Sequence, residues 1–185
     1  LGAVQGDDWS QIGQRLPIRV ESSELVVRLF DGDTWARLIG VSDGKAVEEE
    51  RVFAVPSLPE PRNVDWDGQI RLLGYELDVD QGKLHLYWQA GKRIDTSYTV
   101  FAQLLDPTGG IAAQVDSVPQ GGSYPTDWWL PGEVVVDSLD LDLPRGTPEG
   151  ATYRLIVGLY DPATGVRLPI TGSGTGFLEL ATIEP

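Results

Sequence analysis

The sequence predicts an all-β protein: a two-sheet antiparallel sandwich, of jelly-roll or immunoglobulin-like topology, with an N-terminal β meander. Short runs in which apolar and polar residues alternate recur along the chain, and clusters of Gly, Pro, Asp and Asn separate them. Alternation with a period of two is the pattern of a half-buried strand, and many short strands between turn residues are typical of sandwiches and barrels. No capped run with a period of 3.6 residues indicates a helix.

Ten segments carry the strand pattern. In chain order they are Glu24–Phe30, Trp35–Val41, Val47–Val55, Ile70–Val79, Lys83–Ala90, Tyr98–Leu105, Ile111–Val115, Glu133–Leu143, Thr152–Tyr160 and Gly176–Thr182. The turns Asp106–Gly110 and Asp161–Gly165 combine Asp, which caps its own turn, with Pro and Gly, which supply the required φ angles. Lys45–Arg51 is the best helical candidate, but valines flank it, so we expect a strand with a charged outer face.

Alternation also predicts which side chains are buried. Two strands each carry a row of apolar residues on one face. These rows are Tyr153, Leu155, Val157 and Leu159 in one strand, and Leu84, Leu86 and Trp88 in the other. The segment Tyr98–Leu105 is apolar on both faces, which predicts a central strand that is covered on both sides.

The predicted domain boundary is the proline-rich segment Pro56–Pro61, because prolines favour extended chain and interrupt strands. We therefore divide the chain into residues 1–60, a β meander of three strands, and residues 61–185, the β-sandwich. A three-stranded sheet alone is only marginally stable, so we expect the first part to pack against the second.

The composition excludes several function classes. The chain has 14 Lys and Arg against 28 Asp and Glu, a net charge of −14, so nucleic acid and anionic membranes should repel it. The absence of cysteine excludes disulfides, thiol nucleophiles and cysteine-based zinc sites. No stretch approaches the roughly 18 apolar residues of a transmembrane helix. Since the sequence begins at Leu1 and contains no Met, we expect a piece of a longer polypeptide.

The candidate catalytic and metal-binding residues have simpler explanations. His85 is the only histidine, no Gly-x-Ser-x-Gly motif supplies a nucleophile, and we expect His85 on the surface or in a groove. Asp137, Asp140 and Asp142 could offer oxygens to calcium, but they alternate with leucines as an outward strand face does. We therefore predict no metal and no other cofactor. Acid pairs for a glycosidase carry little weight among 28 acids, so we predict no catalytic residue and no enzyme activity.

The segment Tyr124–Gly132 is the most informative loop. It places Trp128 beside Trp129 between Pro125 and Pro131. Exposed aromatic rings stack on sugars or anchor protein interfaces, so the candidate contact residues for a glycan or a protein partner are Tyr124, Trp128 and Trp129. The alternative is that one tryptophan plugs the end of the sandwich and the other covers it. We expect Trp129 to be structural and Trp128 to be the more exposed ring.

A series of segments in the second part resembles a known family. The segments are Ile70–Leu77, Leu84–Trp88, Tyr98–Asp106, Asp116–Pro119, Trp129–Asp137, Tyr153–Pro162 and Gly165–Pro169. Their order and spacing resemble the soluble C-terminal β-sandwich appended to bacterial multi-pass membrane glycosyltransferases of the dolichyl-phosphate-mannose-type superfamily, over about Val64 to Ile183. The resemblance implies a non-catalytic module on the extracytoplasmic face of the cell envelope, tethered through its parent chain. The family's catalytic carboxylates lie in the membrane part, so no catalytic residue is carried over.

The resemblance and the loop together predict the function. We expect an accessory domain of a membrane glycosyltransferase that binds glycan or positions the acceptor. Its expected partners are a glycan or an envelope protein and the membrane part of the same parent chain. The alternative is a purely structural or protein-interaction domain that binds no small ligand.

Overall fold

The computed structural model describes residues 19–21, 24–30, 35–42, 45–144 and 150–184, with side chains described from residue 51 onward. The chain divides into two compact units, Leu1–Ala54 and Val55–Pro185. The division falls at the start of the proline-rich segment, so that segment belongs to the second unit rather than to the predicted 1–60 region. The predicted packing of the first part on the second stays a prediction.

The first unit contains a β meander. Its strands are β1 (Arg19–Glu21), β2 (Glu24–Phe30), β3 (Trp35–Ser42) and β4 (Lys45–Val52). Each strand pairs antiparallel with the next along the chain. The strand predicted over Lys45–Arg51 is confirmed, since β4 pairs with β3 along its whole length. Strand β1 was not predicted, because three residues are too few to show alternation.

The second unit is built from two antiparallel sheets, as predicted. Its strands are β5 (Glu60–Trp66), β6 (Ile70–Asp78), β7 (Lys83–Ala90), β8 (Thr99–Leu105), β9 (Ile111–Ser117), β10 (Val134–Asp140), β11 (Tyr153–Tyr160) and β12 (Leu178–Ile183). Within this unit one sheet has the order β10-β7-β6-β5 and the other the order β12-β11-β8-β9. The chain therefore crosses between the sheets after β7, β9 and β10.

Among the described strands of the second unit, β5 is the one that the sequence pattern does not show. It contains Pro61, its pairing with β6 is irregular between Pro61 and Val64, and Asn63 has a φ of 56°. Proline is tolerated there because β5 is the last strand of its sheet, where one row of backbone N–H groups needs no partner. The prolines that predicted a linker therefore lead into and occupy an edge strand.

One apolar core fills the space between the two sheets of the second unit. The predicted inward row of β7, Leu84, Leu86 and Trp88, is completely buried, and so are three of the four residues predicted for β11. Trp88 meets Trp66 of β5 edge-on, with ring centroids 5.6 Å apart. Strand β8 is central and is buried on both faces, as predicted, because Phe101 on its outer face is also covered. The sandwich is thus held together mainly by apolar burial.

The regular elements of the described residues are almost all strands. A single turn of 3-10 helix, Thr126–Trp128, is the exception. In the described part of the chain, no helix has the length and apolar character needed to cross a membrane.

Candidate functional site

The tryptophan loop, defined as residues 118–133, connects β9 to β10 and contains the three predicted contact residues. It opens with a tight turn in which Gln120, Gly121 and Gly122 all have positive φ, at 55°, 63° and 95°. Glycine adopts this backbone region without strain, so the two glycines fit the turn. The Gly122 N–H closes the turn by donating to the Val118 carbonyl oxygen at 2.8 Å.

Trp129 and Tyr124 lie in the core. Trp129 is 2% exposed, and its indole N–H donates to the Tyr124 carbonyl oxygen at 3.2 Å. Tyr124 is 6% exposed. A ligand has no access to either ring face, so the structure argues against the contact role that we predicted for Tyr124 and Trp129. It agrees with the expectation that Trp129 is structural.

Trp128 is placed differently from its neighbour. Its side chain is only partly buried and packs against the edge of the apolar core. It ends the single turn of 3-10 helix that follows Pro125, whose φ of −63° suits a helix start. Trp128 is therefore the member of the predicted set that is only partly buried, and its role as a contact residue stays a prediction.

Glu133 fixes the second half of the tryptophan loop through two hydrogen bonds. Its side chain is 2% exposed. One carboxylate oxygen accepts a hydrogen bond from the Tyr124 hydroxyl at 2.7 Å, and the other accepts one from the Leu130 N–H at 2.7 Å. Hydrogen bonds to a buried charged group are among the stronger ones in proteins. Glu133 thus fixes both Tyr124 and the turn that follows Trp129.

Thr126 joins the loop to the segment before β8. It is completely buried, and its hydroxyl accepts a hydrogen bond from the Tyr98 N–H at 2.8 Å. The same hydroxyl donates to the Thr96 carbonyl oxygen at 2.7 Å. The Tyr98 N–H and the Thr96 carbonyl oxygen, both outside the loop, thus each have a hydrogen-bond partner in Thr126. The backbone near Trp128 is therefore tied to the body of the sandwich.

Asp137 corrects a sequence prediction. We predicted an outward side chain, but Asp137 points inward from β10 and is completely buried. Its Oδ1 accepts a hydrogen bond from the Gln120 N–H at 2.8 Å, and its Oδ2 has no hydrogen-bond partner among the described residues. Burial raises the pKa of Asp137, because the ionised form loses its hydration, and backbone N–H groups of Gln120 and Ser138 oppose that shift.

The sequence held a signal for this inward position. Asp137 has the same parity in the strand as Leu139 and Leu141, whereas Asp140 and Asp142 have the opposite parity. Asp140 is exposed, as predicted, and forms an ion pair with Lys83. Asp142 is also exposed. In the described residues, no group of three or more histidine, aspartate or glutamate side chains is placed to hold a metal ion.

His85 has a neighbour that the sequence did not indicate. Its Nδ1 lies 2.8 Å from the Ser138 Oγ on the outward face of the first sheet. The contact follows from the register, which pairs Ser138 directly with His85, and register is not visible in either strand alone. Ser138 stands in the middle of a regular strand rather than at a strand–helix turn of the kind that exposes a nucleophile. The pair is a cross-strand hydrogen bond on an accessible sheet face.

Comparisons with known proteins complete the description of the site. A scan against protein-family models found no match, and neither did searches of curated proteins and of solved structures. The resemblance to the glycosyltransferase-appended sandwich therefore stays a prediction.

Proposed function

We propose that this chain is a non-catalytic accessory β-sandwich that binds glycan through the tryptophan loop and positions an acceptor for a membrane glycosyltransferase. The observation that carries the proposal is the contrast between two adjacent rings. Trp129 is buried at 2% exposure, whereas Trp128 is only partly buried.

A fixed backbone supports Trp128 in this role. Thr126 ties the loop to the segment before β8, and Glu133 braces the loop internally through Tyr124 and Leu130, so hydrogen bonds hold the backbone on both sides of the tryptophan pair. A ring that is already held in place loses little conformational entropy when a ligand binds. The loop therefore suits a preformed contact surface.

The chemistry of an indole ring suits the flat apolar face of a sugar. By analogy with bases stacked on aromatic side chains, one such contact contributes about 1–3 kcal/mol. A single platform of this kind gives weak affinity, on the order of millimolar. Weak binding is appropriate for a module that holds an acceptor briefly near a catalytic part on the same parent chain. The extracytoplasmic location and the parent enzyme rest on the family resemblance.

Calorimetric titration with neutral oligosaccharides tests the proposal. We expect weak binding by the unmodified chain and its loss in Trp128→Ala, with the melting temperature little changed. Tyr87→Ala is the matched control, because Tyr87 is also a partly buried aromatic residue but lies on the outward face of the first sheet. Equal loss of binding in both variants, or full binding by Trp128→Ala, would contradict the proposal.

The alternative function is a structural or protein-interaction domain without a small ligand. The burial of Tyr124 and Trp129 favours it, because two of the three predicted contact residues are used by the core. The same titration separates the two functions. A chain that binds no oligosaccharide, and that loses as much stability when Trp128 is replaced as when Trp129 is replaced, would support the structural role.

A further inference from the structure

A second surface of the sandwich has an unusual arrangement of one arginine and several rings. Phe101 points outward from β8, yet it is only 1% exposed, because the Arg167 guanidinium carbon lies 4.3 Å from the centre of its ring. The Phe177 ring stands 6.0 Å from the same carbon and is 37% exposed. We name this patch, which consists of Phe101, Arg167 and Phe177, the Arg167 surface.

Two glycines make room for this stack. Gly158 pairs with Phe101 in the sheet, and a Cβ at Gly158 would lie 2.6 Å from the Phe101 Cζ. A Cβ at Gly176 would lie 2.6 Å from the Arg167 Cβ. Both distances are too short for any other residue type without displacement. Gly158 leaves room for the Phe101 ring and for the Gly176 carbonyl oxygen, and the Gly176 backbone lies against the aliphatic stem of Arg167, so the arginine and the ring are closely packed on this strand pair.

The backbone under Arg167 is fixed as well. The Leu168 N–H donates to the Leu159 carbonyl oxygen at 2.8 Å, and the Asp161 N–H donates to the Val166 carbonyl oxygen at 2.9 Å. These two bonds extend β11 into a hairpin that ends beside Arg167. The guanidinium thus projects from an ordered backbone and rests on a buried ring, so its position is set before any ligand arrives.

Arg167 has no anionic partner within the described residues. Each ion pair of that part of the chain uses another cation: Arg62, Lys83, Arg93 or Arg154. The carboxylate nearest in sequence, Asp161, accepts hydrogen bonds from its own turn, from the Ala163 N–H at 2.8 Å and the Thr164 hydroxyl at 3.0 Å. The Arg167 guanidinium therefore has no carboxylate acceptor within the described part of the chain, although acids outnumber bases two to one in the sequence.

The geometry defines which kind of ligand fits this guanidinium. Stacking on Phe101 occupies one face of the guanidinium, while the N–H groups along its edge still match the two oxygens of a carboxylate. Near the guanidinium, Phe177 is 37% exposed, which offers apolar contact. A fitting ligand therefore combines a carboxylate with a rigid ring that has an apolar face.

We propose that the Arg167 surface binds a uronic acid residue of a glycan, with the carboxylate on Arg167 and the sugar ring against Phe177. The net charge of −14 disfavours polyanions, whereas a single carboxylate among neutral sugars escapes most of this repulsion, since screening acts beyond about 8 Å at physiological ionic strength. The choice of a sugar as carrier rests on the proposed function, but the site is separate from Trp128.

A matched pair of small ligands tests the inference. Methyl glucuronide and methyl glucoside differ only in the group on C5, which is a carboxylate in one and a hydroxymethyl in the other. In NMR titrations of the whole chain, we expect the glucuronide to shift the Arg167 Nε–H and Phe177 signals. We also expect it to bind at least about tenfold more tightly than the glucoside. Equal affinity for the two ligands, or an equally tight response to N-acetylglutamate amide, would overturn the assignment to a uronic acid.

Variants separate this site from the tryptophan loop. Arg167→Met should remove the preference for the glucuronide while still covering Phe101, and Arg167→Lys should lose most of it, because an ammonium group cannot form the two-pronged contact. Arg71→Met, at an exposed arginine of β6, is the matched control and should bind normally. Trp128→Ala should leave glucuronide binding unchanged, so failure of the two proposals can be told apart. If Arg167→Met does not fold, the comparison of Arg167→Lys with the unmodified chain tests the site. If Arg167→Lys still prefers the glucuronide to the glucoside as strongly as the unmodified chain does, the site is refuted.

Discussion

Replacing Trp129 by alanine should be far more damaging than replacing Trp128. Trp129 is 2% exposed, and truncation of a buried tryptophan costs about 3–5 kcal/mol through lost burial and the cavity that remains. The change also removes the indole donor of the buried Tyr124 carbonyl oxygen, which adds about 1 kcal/mol. For Trp128→Ala we expect about 1 kcal/mol, because only part of its ring leaves water on folding.

Urea denaturation of both variants checks this difference. A typical domain is stable by about 5–15 kcal/mol, so Trp129→Ala should lower the urea midpoint strongly while Trp128→Ala moves it little. The slope of the free energy against urea should stay constant in both variants, as it does when only native-state packing changes. A loss below about 1 kcal/mol in Trp129→Ala, or equal losses in both variants, would refute the assignment of the two rings.

Three further predictions concern the buried Asp137, the crowded Gly158 and the absence of a structural metal. Because burial raises the pKa of Asp137, the protein gains stability from this group below the unfolded pKa and loses it as the pH rises through the folded value. In urea titrations at successive pH values, the free energy of unfolding of the unmodified chain should fall with rising pH by at most about 1.4 kcal/mol per pH unit through this group, and Asp137→Asn should remove that fall. An unchanged pH profile in the variant would contradict this. Gly158→Ala should destabilise the fold by about 1–3 kcal/mol in the same assay, because a Cβ there would lie 2.5 Å from the Gly176 carbonyl oxygen and 2.6 Å from Phe101 Cζ. A neutral effect would show that both neighbours can move aside. A chelator should leave the melting temperature unchanged, and a large drop that calcium restores would reveal a metal site that we did not predict.

Much of the fold could be predicted from the sequence, because the second unit is organised by alternating apolar residues. The rows around Leu86 and Leu155 point inward as their pattern predicts. Strand β5 could not be predicted in the same way, since Pro61 and the irregular pairing beside it interrupt the alternation. Proline excludes a central strand but not an edge strand, and position within a sheet is a tertiary property.

The candidate site was less predictable, because its side chains are placed by the loop and by strand register. The burial of Trp129 and the partial exposure of Trp128 agree with the sequence expectation, whereas the hydrogen bonds of Glu133 and Thr126 that hold the loop depend on tertiary contacts. Asp137 faces inward because it shares the parity of Leu139 and Leu141, whereas its acidic neighbours Asp140 and Asp142 have the opposite parity. The contact between His85 and Ser138 depends on the pairing of β7 with β10.

The central claim is that Trp128 is a preformed contact for glycan. It is tested most directly by following the indole N–H signals of the ¹⁵N-labelled chain during titration with neutral oligosaccharides. Comparison with Trp128→Phe assigns the Trp128 signal among those of the six tryptophans. The account predicts that this signal shifts progressively with saturation in the millimolar range while the buried Trp129 signal stays in place. A Trp128 signal that no oligosaccharide moves, or one that moves only together with Trp129, would contradict it.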